Sequence, residues 1–154
     1  MKTNTNIRKV SEIKVSYSPK IKARDRFQIK HAQDAYTLLL KEAFAPDTIA
    51  YKEYVKLISL DRSHKVIGVT TISEGGMDGS VIDIRLILQI ALLTHSSALI
   101  LAHNHPSGTL RPSRQDDIIT KRVKDAALLM DITLCDHLIV CEDGYYSYAD
   151  ENKL

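Results

Sequence analysis

The sequence predicts an α/β fold, a single mixed sheet with helices packed on its faces. Helix-periodic segments at residues 31–44, 84–93 and 113–130 are interleaved with β-rich apolar runs at 54–60, 65–73, 98–102, 132–141 and 145–149. The resulting order of helix, hairpin, helix, strand, helix, hairpin mixes adjacent antiparallel strands with strands joined by helical crossovers. A chain of 154 residues with 44% hydrophobic content can bury one real core. It is too short to close a (β/α)8 barrel.

Each element has its own signal. Residues 12–17 alternate polar and apolar side chains, as an edge strand does, and Pro19 limits their extension. They lie in a basic N-terminal arm, residues 1–30, where nine Lys or Arg stand against Glu12 and Asp25. Residues 31–44 place Ala35, Leu38, Leu39 and Ala43 at helical spacing, with Pro46-Asp47 closing the helix and His31 as a solvated residue at its start. The runs at 54–60 and 65–73 are joined by Asp61-Arg62-Ser63-His64, which makes them a hairpin. The Gly75-Gly76-Met77-Asp78-Gly79 stretch is a loop.

Residues 84–93 are apolar on most sides, as expected of a helix lying across a sheet, and Thr94-His95-Ser96-Ser97 ends them. His95 fits a helix C-terminus, where positive charge is favoured. Residues 98–102 read as a buried strand. Ile118, Ile119, Val123, Ala126, Ala127 and Met130 give the third helix its apolar face. Residues 132–141 form a strand interrupted by Asp136-His137, and Asp143-Gly144 turns the chain into a final strand. A buried Asp-His needs partners, either bracing a neighbouring site or bonding as a core pair, with the core pair favoured. Cys135 and Cys141 sit in the same apolar run and read as small hydrophobic residues.

The chemistry concentrates in His103-Asn104-His105-Pro106, followed after six intervening residues by Ser113-Arg114-Gln115-Asp116. If the strand before it is regular, its alternation points His103 and His105 to one side. Pro106, Ser107 and Gly108 turn the chain, and a helix restarting at Ser113 can aim Asp116 back at both imidazoles. Two histidines and a carboxylate are three ligands for a catalytic zinc ion (Zn2+), which leaves a fourth position for water. Plainer readings exist for each half: Ser113-x-x-Asp116 also reads as a capping box, and a lone His-x-His as a surface pair. Their conjunction favours metal.

These residues resemble the JAMM motif of the JAB/MPN zinc metallopeptidases, and His103-Asn104-His105-Pro106-Ser107-Gly108 is similar to its RadC branch. The likeness continues through residues 51–61, Gly75-Gly76, residues 125–132, Asp136-His137-Leu138-Ile139 and Tyr146-Ser147. It implies a single RadC-like JAB/MPN domain over residues 31–154, in a layered helix/sheet/helix arrangement like that of cytidine deaminases. It further implies Glu53 as general base, with Glu74 as the competing candidate, and Ser113 as a group steadying the oxyanion. The implied activity is cleavage of an amide or isopeptide bond in a peptide or protein substrate. Longer RadC-like chains carry a helix-hairpin-helix region, but no Gly-rich hairpin occurs before residue 50.

Other classes fit less well. Zinc deaminases need His-x-Glu with Pro-Cys-x-x-Cys, and neither string occurs. A formal charge of +2 does not by itself argue for nucleic acid. The basic arm leaves one alternative open: a DNA-associated repair module with a structural or vestigial zinc site, the arm supplying phosphate contacts. A solvated arm is the plainer account, because stacking aromatics are not interleaved with its basic residues. No signal peptide or apolar run of membrane length is seen, so a cytoplasmic protein is expected. The sequence leaves oligomeric state open.

Overall fold

A computed structural model describes residues 18–75 and 82–154. The edge strand expected at residues 12–17, and part of the glycine-rich loop, lie outside the described residues. Eight principal elements follow in chain order: α1 (Ala32–Glu42), β1 (Tyr54–Leu60), β2 (Val66–Glu74), α2 (Ile84–Leu93), β3 (Ala98–Asn104), α3 (Arg114–Leu128), β4 (Thr133–Cys141) and β5 (Gly144–Ser147). The five strands make one sheet in the order β2-β1-β3-β4-β5. Pairing is antiparallel throughout except between β3 and β4, which are parallel and joined through α3. This is the mixed sheet expected from the sequence.

Strand alternation divides the core into two layers. Ile58, Leu60, Ile100, Ala102, Leu138 and Val140 face α1, where they meet Ala35 and Leu39. Val55, Leu57, Leu99 and Leu101 face the other way, onto Ile87 and Ala91 of α2 and Ile119, Val123 and Ala127 of α3. The order of layers is therefore helix, sheet, helix pair. The helices begin where their caps allow: the Asp34 carboxylate accepts from the backbone of Lys30 and His31, and Asp83 accepts from the Arg85 amide. At the β1–β2 turn Asp61 accepts from the amides of Ser63 and Lys65, and His64 takes a left-handed φ of 59°.

One irregularity matters for the site. Leu99 pairs with Leu134, but Ile100 pairs with Asp136, so Cys135 is an extra residue in β4. The bulge resets the alternation. Leu134 faces α2 and α3, and so does His137 three residues later, although regular alternation would send it to the α1 side. Asp136 turns away instead, to the Ser147 hydroxyl and the Ala149 amide. The strand before the ligand loop is also longer than residues 98–102, because Asn104 still pairs with Val140.

The central strands should dominate stability. Leu101 is 0% exposed between two strands and two helices, so Leu101→Ala is expected to cost about 2–5 kcal/mol. Leu129, 85% exposed past the end of α3, should change stability by less than about 0.5 kcal/mol as Leu129→Ala. Urea unfolding of the two variants checks the contrast.

Candidate metal centre

β3 delivers His103 to the α3 side of the sheet at 2% exposure, and His105 follows just beyond the strand. Their Nε2 atoms are 3.0 Å apart. Asp116 enters from the first turn of α3, with Oδ1 3.2 Å from His103 Nε2 and Oδ2 3.7 Å from His105 Nε2. One ligand atom from each of the three lies within 4.8 Å of the others. The three residues singled out from the sequence are therefore brought together.

The capping reading holds as well, and it explains the aim of the carboxylate. Ser113 Oγ accepts from the Asp116 amide at 3.1 Å, while the Ser113 amide donates to Asp116 Oδ2 at 2.7 Å. The carboxylate is thus anchored at its own helix terminus, with Oδ1 turned toward His103. Burial pushes the Asp116 carboxyl up, but His103 and His105, which donate to it and attract it when their facing nitrogens carry a proton, outweigh burial and hold the group well below the usual carboxylate range. The hydrogen bond to Asp116 raises His105 against the opposing effect of burial.

Hydrogen-bond polarity decides which imidazole nitrogens are open. A carbonyl can only accept, so His105 Nδ1 donates to Thr109 O at 2.7 Å and, in the neutral ring, Nε2 is bare. Thr120 Oγ1 donates to Asp116 O at 2.6 Å and must therefore accept from His137 Nδ1, 2.5 Å away. His137 is 0% exposed, and burial holds it neutral, its pKa well below the ordinary value. Its Nε2 then accepts from His103 Nδ1 at 2.8 Å, which in the neutral ring leaves His103 Nε2 bare. Two lone pairs and a carboxylate consequently face one another. Such a group calls for a cation among its members, a proton or a metal ion, and two imidazoles with one carboxylate suit zinc.

The acidic candidates separate by strand parity. Val55 pairs with His103, and Glu53, two residues earlier, shares the face of Val55. Its charge is close enough to favour protonated His105. Glu74 pairs with Tyr54, which packs toward α1, and its carboxylate takes Lys52 Nζ at 3.1 Å. Glu53, not Glu74, is on the side of the histidines. Ser113 is exposed at the rim.

Two supporting residues were less legible. The favoured Asp136–His137 core pair does not form through its side chains: Asp136 accepts from the His137 amide, whereas the imidazole goes to His103 and Thr120. Thr120 was missed altogether. Its signal was a polar residue one helical turn after Asp116, on the buried face of α3. Tyr148 covers the assembly from behind, stacked on His137 at 5.0 Å and 8°, with its hydroxyl donating to Asp117 at 2.9 Å.

Fold and site together define a class: an α/β domain holding a His-His-Asp group that could bind a metal, beyond the C-terminal end of a central strand. The family model described as RadC-like JAB domain matches residues 29–154, and the chain belongs to that family. It is 39% identical over 124 residues to a UPF0758 protein of Flavobacterium johnsoniae, covering 80% of this chain and 52% of that one. A UPF0758 protein of Porphyromonas gingivalis is 47% identical over 104 residues, 67% of this chain and 46% of its own length. One from Thermotoga maritima is 41% identical over 103 residues, again 67% and 46%. The chain spans about half the length of the curated relatives it matches. No helix among the described residues is long and apolar enough to cross a membrane.

The neutral His137 sets a pH dependence. On unfolding it regains an ordinary pKa near 6.5, so below that pH the unfolded state binds more protons and stability falls as pH falls. The loss reaches about 1.4 kcal/mol per pH unit, and above the unfolded value the contribution is constant. Denaturation of metal-free protein between about pH 7.5 and about pH 5 should show wild type losing stability more steeply than His137→Phe. Equal slopes would contradict the assignment.

Proposed function

We propose that this domain is a zinc-dependent hydrolase of the JAMM metallopeptidase type, cleaving an amide or isopeptide bond in a peptide or protein. The observation that carries the reading is the convergence of two bare imidazole nitrogens and the Asp116 carboxylate on one point, with Glu53 on the same side. His103, His105 and Asp116 would hold the ion. Bound there, zinc would supply an acidified water and a Lewis acid for the substrate carbonyl. Glu53 takes the proton from the attacking water and returns it to the leaving amine. The Ser113 hydroxyl, whose oxygen accepts the capping bond, keeps its own proton to donate to the carbonyl oxygen as charge develops there.

A second reading rests on the basic arm: a DNA-associated module in which the metal centre is structural or vestigial. One set of measurements separates the two. His103→Ala and Asp116→Asn should lose zinc, read by metal analysis, together with hydrolysis of fluorogenic peptide and isopeptide substrates. Glu53→Gln should keep near-stoichiometric zinc while hydrolysis falls by about 10²- to 10⁴-fold. Undiminished hydrolysis in His103→Ala would overturn the peptidase reading. Salt-sensitive duplex binding that disappears when residues 1–26 are removed, with no hydrolysis in wild type, would favour the second.

The hydrogen-bond chain behind His103 adds a further expectation. Thr120→Val should weaken zinc binding by about 10–100-fold, and Thr120→Ser, which keeps the hydroxyl, should restore it. Competition with a chelating dye measures both.

A further inference from the structure

Between the two histidines, strand alternation turns one side chain the other way. Asn104 is 0% exposed and points to the α1 face, away from the metal centre. Its amide is saturated by one segment of backbone. Nδ2 donates to Ile49 O at 2.6 Å and to Lys52 O at 2.9 Å, and Oδ1 accepts from the Tyr54 amide at 2.7 Å. Two carbonyls on one side and an N–H on the other fix the orientation of the side chain.

The Lys52 carbonyl and the Tyr54 amide immediately flank Glu53, whose own carbonyl accepts from the Gly75 amide at 2.8 Å. The paired register of β1 and β3 runs only as far as Val55 opposite His103. Carried on, it would set Glu53 opposite His105. Beyond Val55 the Asn104 side chain takes the Tyr54 amide, so strand alignment continues through an amide side chain where main-chain pairing ends.

We propose that Asn104 is a positioning residue that holds Glu53 against the His103–His105–Asp116 centre. The inference rests on Glu53 being the proton acceptor of the proposed hydrolase. Residue chemistry explains the choice of asparagine. Aspartate would turn an oxygen toward two carbonyls, leucine would take the partner from three backbone groups that are buried or half-buried, and glutamine is one methylene too long. Because Asn104 faces away from the ligands, losing it leaves all three in place while freeing the segment that carries Glu53.

The test uses the full chain loaded with Co2+, whose visible absorption changes as ionisation beside the metal changes with pH. Glu53→Gln should move the midpoint to lower pH by about half a unit or more, because a nearby negative charge disfavours formation of another. Asn104→Ala and Asn104→Ser should move it in the same direction to a comparable extent, with Co2+ affinity within about threefold of wild type. The Glu53→Gln/Asn104→Ala double variant should shift no further than Glu53→Gln alone. The serine variant keeps the test available should alanine fail to fold. A merely structural role would lower the Tm of the Asn104 variants and leave their midpoint at the wild-type value. That result, beside a shifted Glu53→Gln, overturns the inference alone. An unshifted Glu53→Gln overturns the proton-acceptor reading, and the inference with it.

Discussion

The structure depends on a buried chain of hydrogen bonds that begins at the Asp116 carbonyl and ends at His103 Nε2. Thr120, His137 and His103 are its links, and they belong to α3, β4 and β3 respectively. Each link has one allowed direction, because a carbonyl cannot donate and a neutral imidazole carries a single N–H. The direction imposed at the helix is therefore felt at the His103 nitrogen facing Asp116, which in the neutral ring is free of hydrogen. The same residue, Asp116, supplies a backbone acceptor at the start of the chain and a carboxylate at its end. Helix, strands and site are thus fixed by one network, and a partly satisfied version would be costly in so dry a place.

That network exists because β4 is irregular. Without the extra residue at Cys135, His137 would point to the α1 side and His103 Nδ1 would lose its acceptor. The bulge lets a strand keep Leu134 in one apolar layer and Leu138 and Val140 in the other, while placing His137 with Leu134. Asp136 is turned to the opposite face, where Ser147 and Ala149 satisfy it. Adjacent polar residues in an apolar strand are thereby assigned to separate environments.

Much of this was legible. Hydrophobic periodicity located all three helices and the hairpin, since burial on one or both faces is written into residue spacing. The candidate ligands were legible because His-x-His exploits strand alternation and Ser-x-x-Asp exploits a helix terminus, both local geometries. Capping and the approach of Asp116 to the histidines, which compete as explanations when read from the string, are one arrangement in space: the cap aims the carboxylate. Glu53 could be separated from Glu74 only through pairing partners, because their difference lies in which face of a two-stranded ribbon each occupies.

By itself the sequence determined the fold class, the element order and the three candidate ligands, all of which follow from short-range periodicity and spacing. Only the tertiary structure decided which acid stands beside the histidines, that His137 rather than an Asp–His pair supports His103, and that Thr120 and Asn104 take part. Those contacts join residues 17 to 55 positions apart, and one of them turns on a single-residue bulge. A one-residue change of phase reverses the face of every side chain that follows. Composition and local pattern carry no record of it.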